Sequence, residues 1–427
     1  AKAYSLLNEW KGGSYEFGSG CIGRIGSLVR RYAENVLVVA NMASSGPVID
    51  KVLSSLADSG VRTVCGICPG AKPNAPKEDV YRIATYILQY KPEAIVAIGG
   101  GSVIDACKAS SVIASLGHEV SPEIDEYFGT GKVSEGLKRT GLSLIPVIAV
   151  ETSSSSGSHL TKYSNITDIA TGQKKLIVDP AIVPSAALFD YDITCSMPAK
   201  VTIDGALDSI AHTFEVFCGA KGSAYAKAAE ICETAISLVA DWTGRILENP
   251  SDLRAREALG LASDLGGYAI MIGGTSGAHL TSFSLVDIVG HGTACGIMNP
   301  YYAVFYSDAI EPQLRAVGSI FSSRGYGRTD IGSLSGRALA EAVAEAMIGF
   351  SKSINAPAKL SDIPGYKHSV HFNRAVNAAK DPDLRMKLQN MPVPMTASDV
   401  DEYMASVLFA AESGDFSLIR TKPASTN

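Results

Sequence analysis

Glu93-Ala-Ile-Val-Ala-Ile-Gly-Gly-Gly-Ser-Val-Ile-Asp-Ala-Cys-Lys-Ala109 is the stretch on which the fold turns. Ala94 to Ile98 is an apolar run that reads as a buried strand, Gly99, Gly100 and Gly101 read as a tight turn, and Ser102 to Leu116 reads as a helix. Glycine lets a backbone approach a pyrophosphate closely, and the free amides at the start of the next helix attract its charge. Gly99, Gly100, Gly101 and Ser102 are therefore candidate cofactor contacts. The run departs from Gly-x-Gly-x-x-Gly, so the ordinary dinucleotide fingerprint is not what it presents, and a plain strand-to-helix turn also needs glycine.

Elements of the same kind flank this stretch. Asn35 to Ala40 and Val61 to Cys68 read as strands, Val48 to Ser59 and Lys77 to Tyr90 as helices, and Ser143 to Ala149 as a further strand. Such alternation predicts a parallel sheet covered by helices. After Met197-Pro198 helical patterns dominate, over Thr202 to Cys218, Ala224 to Glu248, Leu253 to Ile272, Leu339 to Ile354, His371 to Ala379 and Ala397 to Ala411. The expected organisation is an α/β domain over residues 1–195 and an all-α domain over 196–427, with Arg420 to Asn427 a polar tail.

The 427 residues are 46% hydrophobic and include 41 glycines, enough for two cores. A net charge of −6 leaves no basic footprint for nucleic acid. No apolar run is long enough to span a membrane and no signal-like N-terminus is seen, so a cytoplasmic location is expected. The eight cysteines are scattered, and Cys65-Gly-Ile-Cys68 has no second pair to complete a zinc site; both read as reduced thiols in and after a strand.

Metal chemistry is suggested by Leu207-Asp-Ser-Ile-Ala-His-Thr-Phe-Glu215. Asp208 and His212 are four apart in a helical pattern, so both leave one helix face a turn apart, the spacing for gripping one divalent ion. A lone helical histidine is more often a packed or surface imidazole. The candidate set here is larger, because His279 and His291 join Asp208 and His212 out of only seven histidines. With no thiolate counted in this set, carboxylate and imidazole together suit Fe²⁺ or, alternatively, Zn²⁺.

Taken with Pro73-Asn-Ala-Pro-Lys-Glu-Asp, Ile145-Pro-Val-Ile-Ala-Val-Glu-Thr and His291-Gly-Thr-Ala-Cys-Gly-Ile-Met-Asn-Pro, these motifs resemble the iron-containing, or group III, alcohol dehydrogenase family of the dehydroquinate synthase-like superfamily. The resemblance implies a Rossmann-like N-terminal domain, a helical metal-binding and substrate domain, and a nicotinamide cofactor. It implies hydride transfer between that cofactor and an alcohol or aldehyde, with Asp208, His212, His279 and His291 as metal ligands and catalytic residues. A homodimer or higher homo-oligomer is expected.

In this family a carboxylate after the first strand bonds the adenosine ribose, but here that strand ends in Asn41. A neutral amide does not repel a 2′-phosphate, and Ser44-Ser45-Gly46 adds donors, so NADP(H) or dual use with NAD(H) is favoured over strict NAD use. Asn41 reads equally as a loop cap. Thr152 and Ser153 open a Ser-rich segment to Ser158 that stands where the family wraps its cofactor, though a solvated loop would look similar. By resemblance Lys175 is a cofactor lysine and Asp105 points to the nicotinamide end. Lys108 reads as helix decoration, and Asp204 as either a neighbour of the metal pair or a solvated helix start.

One departure concerns proton transfer. Many members of the family carry a histidine four residues after the third ligand; here the position is Phe283, and the interval from His279 to His291 is two residues shorter than usual. Ser282, Ser284, a water chain or the cofactor ribose are candidate replacements. Phe214, Phe283, Met271 and Tyr163 are candidate pocket residues, although each type is more often core. The competing readings are a dehydroquinate synthase-like lyase, a glycerol-1-phosphate dehydrogenase-like enzyme and an inactive cofactor-binding relative. The first two call for a cluster of Arg and Lys that the ligand region lacks.

Overall fold

The computed structural model describes residues 1–327 and 330–422. Contacts divide the chain into a unit of Leu7–Met197 and a unit of Pro198–Asn427 joined by Ala1–Leu6. The end of the expected polar tail, 423–427, lies outside the described residues, as does the side chain of Ser44.

Helix α1 (Lys2–Lys11) opens the chain. The Leu7–Met197 unit is built on β1 (Tyr15–Gly18), β2 (Asn35–Ala40), β3 (Arg62–Thr63), β4 (Cys68–Pro69), β5 (Ala94–Gly99), β7 (Val147–Glu151) and β10 (Ala186–Asp190). They form a seven-stranded sheet in the order β1-β10-β7-β5-β2-β3, with β4 also on β2, and every pairing is parallel. Central strands β5 and β7 are buried along their whole length. That is why they read as continuous apolar runs: helices cover both faces of a parallel sheet. On one face Val36, Val38, Val96, Ile98, Ile148, Val150 and Leu188 pack with Ile25, Leu28, Val52 and Leu56. The helices of this unit are α2 (Ile25–Arg30), α3 (Met42–Asp58), α4 (Lys77–Tyr90), α5 (Gly101–Leu116) and α6 (Lys132–Thr140).

Three details differ from the sequence reading. The expected strand over 61–68 is two short pieces that pair with the two ends of β2, Asn35 with Arg62 and Val39 with Cys68, while the exposed or half-buried residues between them leave the ladder. Helix α3 starts at Met42 rather than Val48; Pro47, which has no amide to give, sits inside it. The strand expected from Ser143 starts after Pro146 instead, at Val147. The sequence reading also missed a small sheet, β6 (Gly129–Thr130), β9 (Gln173–Val178) and β8 (Tyr163–Asp168), in which β8 and β9 are antiparallel.

The second unit is helical, as expected: α7 (Ala199–Gly219), α8 (Ala224–Glu248), α9 (Leu253–Ile272), α10 (Gly277–Ser282), α11 (His291–Phe305), α12 (Glu311–Ser322), α13 (Gly336–Ser353), α14 (Asn373–Ala378), α15 (Arg385–Gln389) and α16 (Ala405–Ser413). Helix α9 is capped by Asp252, whose carboxylate accepts from Arg254 N and Ala255 N and so satisfies two open amides. Helix α7 is buried almost all round from Gly205 to Cys218, so its polar residues are committed to contacts inside the unit. The stretches expected as helices over 371–379 and 397–411 each overlap a π-helical turn, His368–Phe372 and Val400–Met404, the second preceded by a 3-10 turn, Ala397–Asp399. Among the described residues no helix is long and apolar enough to cross a membrane.

Candidate metal centre

Asp208 and His212 leave the buried face of α7 one turn apart, with His212 Nε2 3.7 Å from Asp208 Oδ1. Helix α10 brings His279 Nε2 to 3.6 Å from the same oxygen, and the first residue of α11 brings His291 Nε2 to 3.9 Å. The His212 and His279 rings stack with centroids 4.7 Å apart, and His279 meets His291 edge-on at 5.0 Å. The short link between His279 and His291 is accommodated by the turn between α10 and α11. The four residues named from the sequence are thus brought together.

These separations are too long for hydrogen bonds. Two donors on ~2.1 Å bonds to one tetrahedral ion sit roughly 3.4 Å apart, close to what is seen. Asp208 Oδ1 and His279 Nε2 are buried without a hydrogen-bond partner among the described residues. Each such atom costs about 1–3 kcal/mol, a penalty that a bound cation removes. The residues therefore fit a divalent ion.

Electrostatics point the same way. Burial alone would raise the Asp208 carboxyl, but His212, His291 and His279 around it pull it below the usual carboxylate range. Burial pushes His212 down to about 4 against the opposing pull of Asp208, so its imidazole is neutral. Ionised carboxylate and neutral imidazole are the forms that ligate. His279 resists its burial: Cys295, Glu215 and Asp208 raise it well above the ordinary range.

Glu215, which the sequence reading passed over, orients His279. Its Oε1 is 2.6 Å from His279 Nδ1, and its Oε2 accepts from Ser276 N at 2.7 Å. A carboxylate on the far nitrogen fixes the ring and the tautomer, leaving Nε2 for the ion. The signal was present, since Glu215 lies seven residues after Asp208 and three after His212 on one helix face. Ser282 Oγ plays the same part for His291, 3.0 Å from its Nδ1.

A cysteine outside the candidate set lies beside it. Cys295 lies one turn after His291 on α11, fully buried, and offers a donor atom within 4.8 Å of those of Asp208, His279 and His291. Periodicity along α11 puts it on the histidine's face, and the sequence reading counted only imidazoles and carboxylates. Asp204 is no solvated helix start: it is half-buried, and its Oδ1 accepts from Thr293 N and Oγ1 at 2.8 Å, tying α7 to the start of α11. Phe283 is buried with its ring stacked on His291, centroids 5.8 Å apart, and Lys387 lies 5.6 Å from the ring centre. Burial lowers Lys387 to about 8 against the pull of Glu215. Phe214 belongs to the buried interior of α7.

In the α/β unit the glycine turn is shaped by a close approach. A Cβ on Gly101 would stand 2.4 Å from Ser156 Oγ and one on Gly100 2.5 Å from Ser153 Oγ. Thr152 and Ser153 fold onto buried Glu151, whose Oε1 accepts from Thr152 N, Ser153 N and Ser153 Oγ. Glu151 Oε2 meets His159 Nδ1 at 3.1 Å. Asp105 accepts from Ser158 Oγ and Asn165 N, so its carboxylate is engaged within the unit. Lys108 is a buried brace rather than decoration, its Nζ donating to the carbonyls of Ser158, Thr161 and Tyr163.

Strand alternation separates two lysines. Lys175 Nζ lies over the Phe128 ring at 5.9 Å, whereas buried Lys174 donates to Asn74 Oδ1, and Asn74 N in turn donates to Ser102 Oγ at the start of α5. The lysine turned toward the glycine turn is therefore Lys174. Asn41 stands just after β2 with its Nδ2 donating to Ala71 O at 2.8 Å.

The same architecture recurs among known proteins. An archaeal halo-thermophilic alcohol dehydrogenase from a Red Sea brine pool superposes with a TM-score of 0.79 at 22% identity, covering 93% of this chain and 96% of that one. The NADH-dependent butanol dehydrogenase A of Thermotoga maritima gives 0.77 at 23%, covering 93% and 96%. Among curated proteins, the NAD-dependent methanol dehydrogenase of Bacillus methanolicus is 25% identical over 92% of this chain and 97% of its own length. The NADPH-dependent butanol dehydrogenase of Clostridium saccharobutylicum is 28% identical over 68% of this chain and 72% of its own. The model of iron-containing alcohol dehydrogenases matches residues 13–191, and that of the family's C-terminal part matches 202–408. With both halves matched and the fold shared, the chain belongs to the iron-containing alcohol dehydrogenase family.

Proposed function

We propose that this oxidoreductase moves a hydride between an alcohol or its aldehyde and NADP(H) or NAD(H), with Asp208, His212, His279 and His291 holding Fe²⁺ or, alternatively, Zn²⁺. The observation that carries this is the convergence of three imidazole nitrogens on Asp208 Oδ1, itself unpartnered among the described residues. When bound, the ion supplies a Lewis acid that lowers the pKa of the alcohol, and the nicotinamide takes or gives the hydride. The chain's own work is positioning. Glu215 and Ser282 hold the far nitrogens of His279 and His291, and Phe283 backs the His291 ring. Gly99, Gly100, Gly101 and Ser102 offer the amides at the start of α5 to a pyrophosphate, with Lys174 beside them.

The neutral Asn41 after β2 supports NADP(H) or dual use. Asn41→Asp should shift preference toward NADH by about tenfold, through repulsion of the 2′-phosphate, in paired kcat/KM measurements with both coenzymes. A wild type confined to NADH would contradict this. The lyase-like, glycerol-1-phosphate dehydrogenase-like and inactive readings are not favoured by the relatives. Metal analysis combined with an alcohol and aldehyde panel tests the whole proposal: bound ion without net change in nicotinamide would overturn it. Assembly as a homodimer or higher homo-oligomer and a cytoplasmic location are parts of the same proposal; light scattering and cell fractionation test them.

A further inference from the structure

We propose that Cys295 is itself a ligand of the ion, so that the centre carries one thiolate beside its carboxylate and imidazoles. The inference rests on the metal-binding reading above and extends it to a donor which that reading does not need. Cys295 follows His291 by four residues on α11, so both side chains leave one helix face. It is completely buried, and its Sγ and the ligand atoms of Asp208, His279 and His291 all lie within 4.8 Å of one another. Independently of the cysteine, two buried polar atoms of this same group, Asp208 Oδ1 and His279 Nε2, have no hydrogen-bond partner among the described residues. A thiol placed there among atoms that await a cation is in the position of a ligand rather than of a small core residue.

The chemistry differs from that of a nitrogen and oxygen shell. On loading, a bond forms between Sγ and the ion, and the thiol proton leaves to solvent. Asp208 and Cys295 together then neutralise a divalent ion, whereas Asp208 with three neutral imidazoles leaves one positive charge. Sulfur also softens the site and favours Zn²⁺ or Co²⁺ over harder ions.

The test uses the full-length protein loaded with Zn²⁺ and X-ray absorption at the zinc edge. A sulfur shell at ~2.3 Å is expected in the wild type, and it should vanish in Cys295→Ser while zinc stoichiometry is kept. A wild-type shell of nitrogen and oxygen alone overturns the thiolate and leaves the metal site standing. A sulfur shell that persists in Cys295→Ser also overturns it, because the sulfur then comes from elsewhere. Failure to bind zinc overturns both readings. Should the serine variant misfold, Cys295→Ala gives the same readout. The Co²⁺-loaded wild type needs no variant: a near-ultraviolet thiolate-to-cobalt band supports the proposal, and its absence refutes it.

Discussion

Glu151, beneath the serine loop of the α/β unit, takes three donors from Thr152 and Ser153 on one oxygen and His159 on the other. Asp208, in the helical unit, is just as deeply buried, yet its Oδ1 has three imidazole nitrogens at 3.6 to 3.9 Å and no hydrogen bond among the described residues. A buried carboxylate whose donors come from its own loop shapes that loop. One whose neighbours stop short of bonding distance, and are themselves ligating groups, is shaped for something the chain does not supply. The same contrast divides Asp105, engaged by Ser158 and Asn165, from His279, whose outer nitrogen is held by Glu215 while its inner one has no hydrogen-bond partner among the described residues.

The comparison breaks most visibly at Asp208. Asp208→Ala should abolish stoichiometric metal and reduce kcat/KM by at least about a thousandfold, since several kcal/mol of charge stabilisation depend on the ion. The fold should survive, because no hydrogen bond to Oδ1 from the described residues is lost. His212→Ala should behave alike. Full metal content and activity in both variants would remove the assignment.

Glu151→Ala should do the reverse. It removes a buried carboxylate and leaves the three donors on Oε1 and the His159 nitrogen without it, so unfolding stability should fall by roughly 2–4 kcal/mol, while metal bound per chain stays unchanged. Denaturant melts paired with metal analysis report both quantities. A Glu151 variant that melts normally but loses metal would dissolve the distinction between the two carboxylates.

Between these extremes stands Glu215, a carboxylate with bonds to protein that nonetheless serves the site. Glu215→Gln keeps the shape and removes the charge behind His279 Nδ1, so metal affinity should fall by about 10- to 100-fold, with the fold and the zinc ligands in place. Competition with a chelator measures it. An unchanged affinity would mean that Glu215 only packs α7 against the segment before α10.

What was legible in the sequence follows the same physical division. The glycine run, the alternation around it and the Asp208-His212 spacing are local patterns, and each led to the element or pair that the structure contains. Partnerships across elements were not legible. Whether Lys174 or Lys175 faces the glycine turn depends on the phase of β9 against β8, which a run of two lysines does not reveal. Cys295 was only one of eight scattered cysteines, because the packing of α11 beside α7 and α10 is what brings it near Asp208. The broken strand at 61–68 was hidden because an edge strand needs to pair only where the ladder runs, and propensity does not mark the gap.

Phe283 offers the smallest expected effect and the finest test. The ring is stacked on His291, whose Nδ1 meets Ser282, so it steadies a ligand without offering a proton. Phe283→Leu retains apolar bulk but loses the flat face. It should cost about 1 kcal/mol of stability and shift KM and substrate range by a few fold, while the pH dependence of kcat is preserved. Phe283→His should instead add an ionisation near neutral pH, since an imidazole there titrates in that range. If Phe283→Leu displaced the pH profile as well, the ring would be governing a titrating neighbour. Lys387, 5.6 Å from the ring centre and lowered to about 8 by burial, would be the group to follow. If Phe283→Leu changed no substrate's kinetics at all, the residue would be packing alone, and the unpartnered atoms of the metal centre would owe nothing to the aromatic wall beside them.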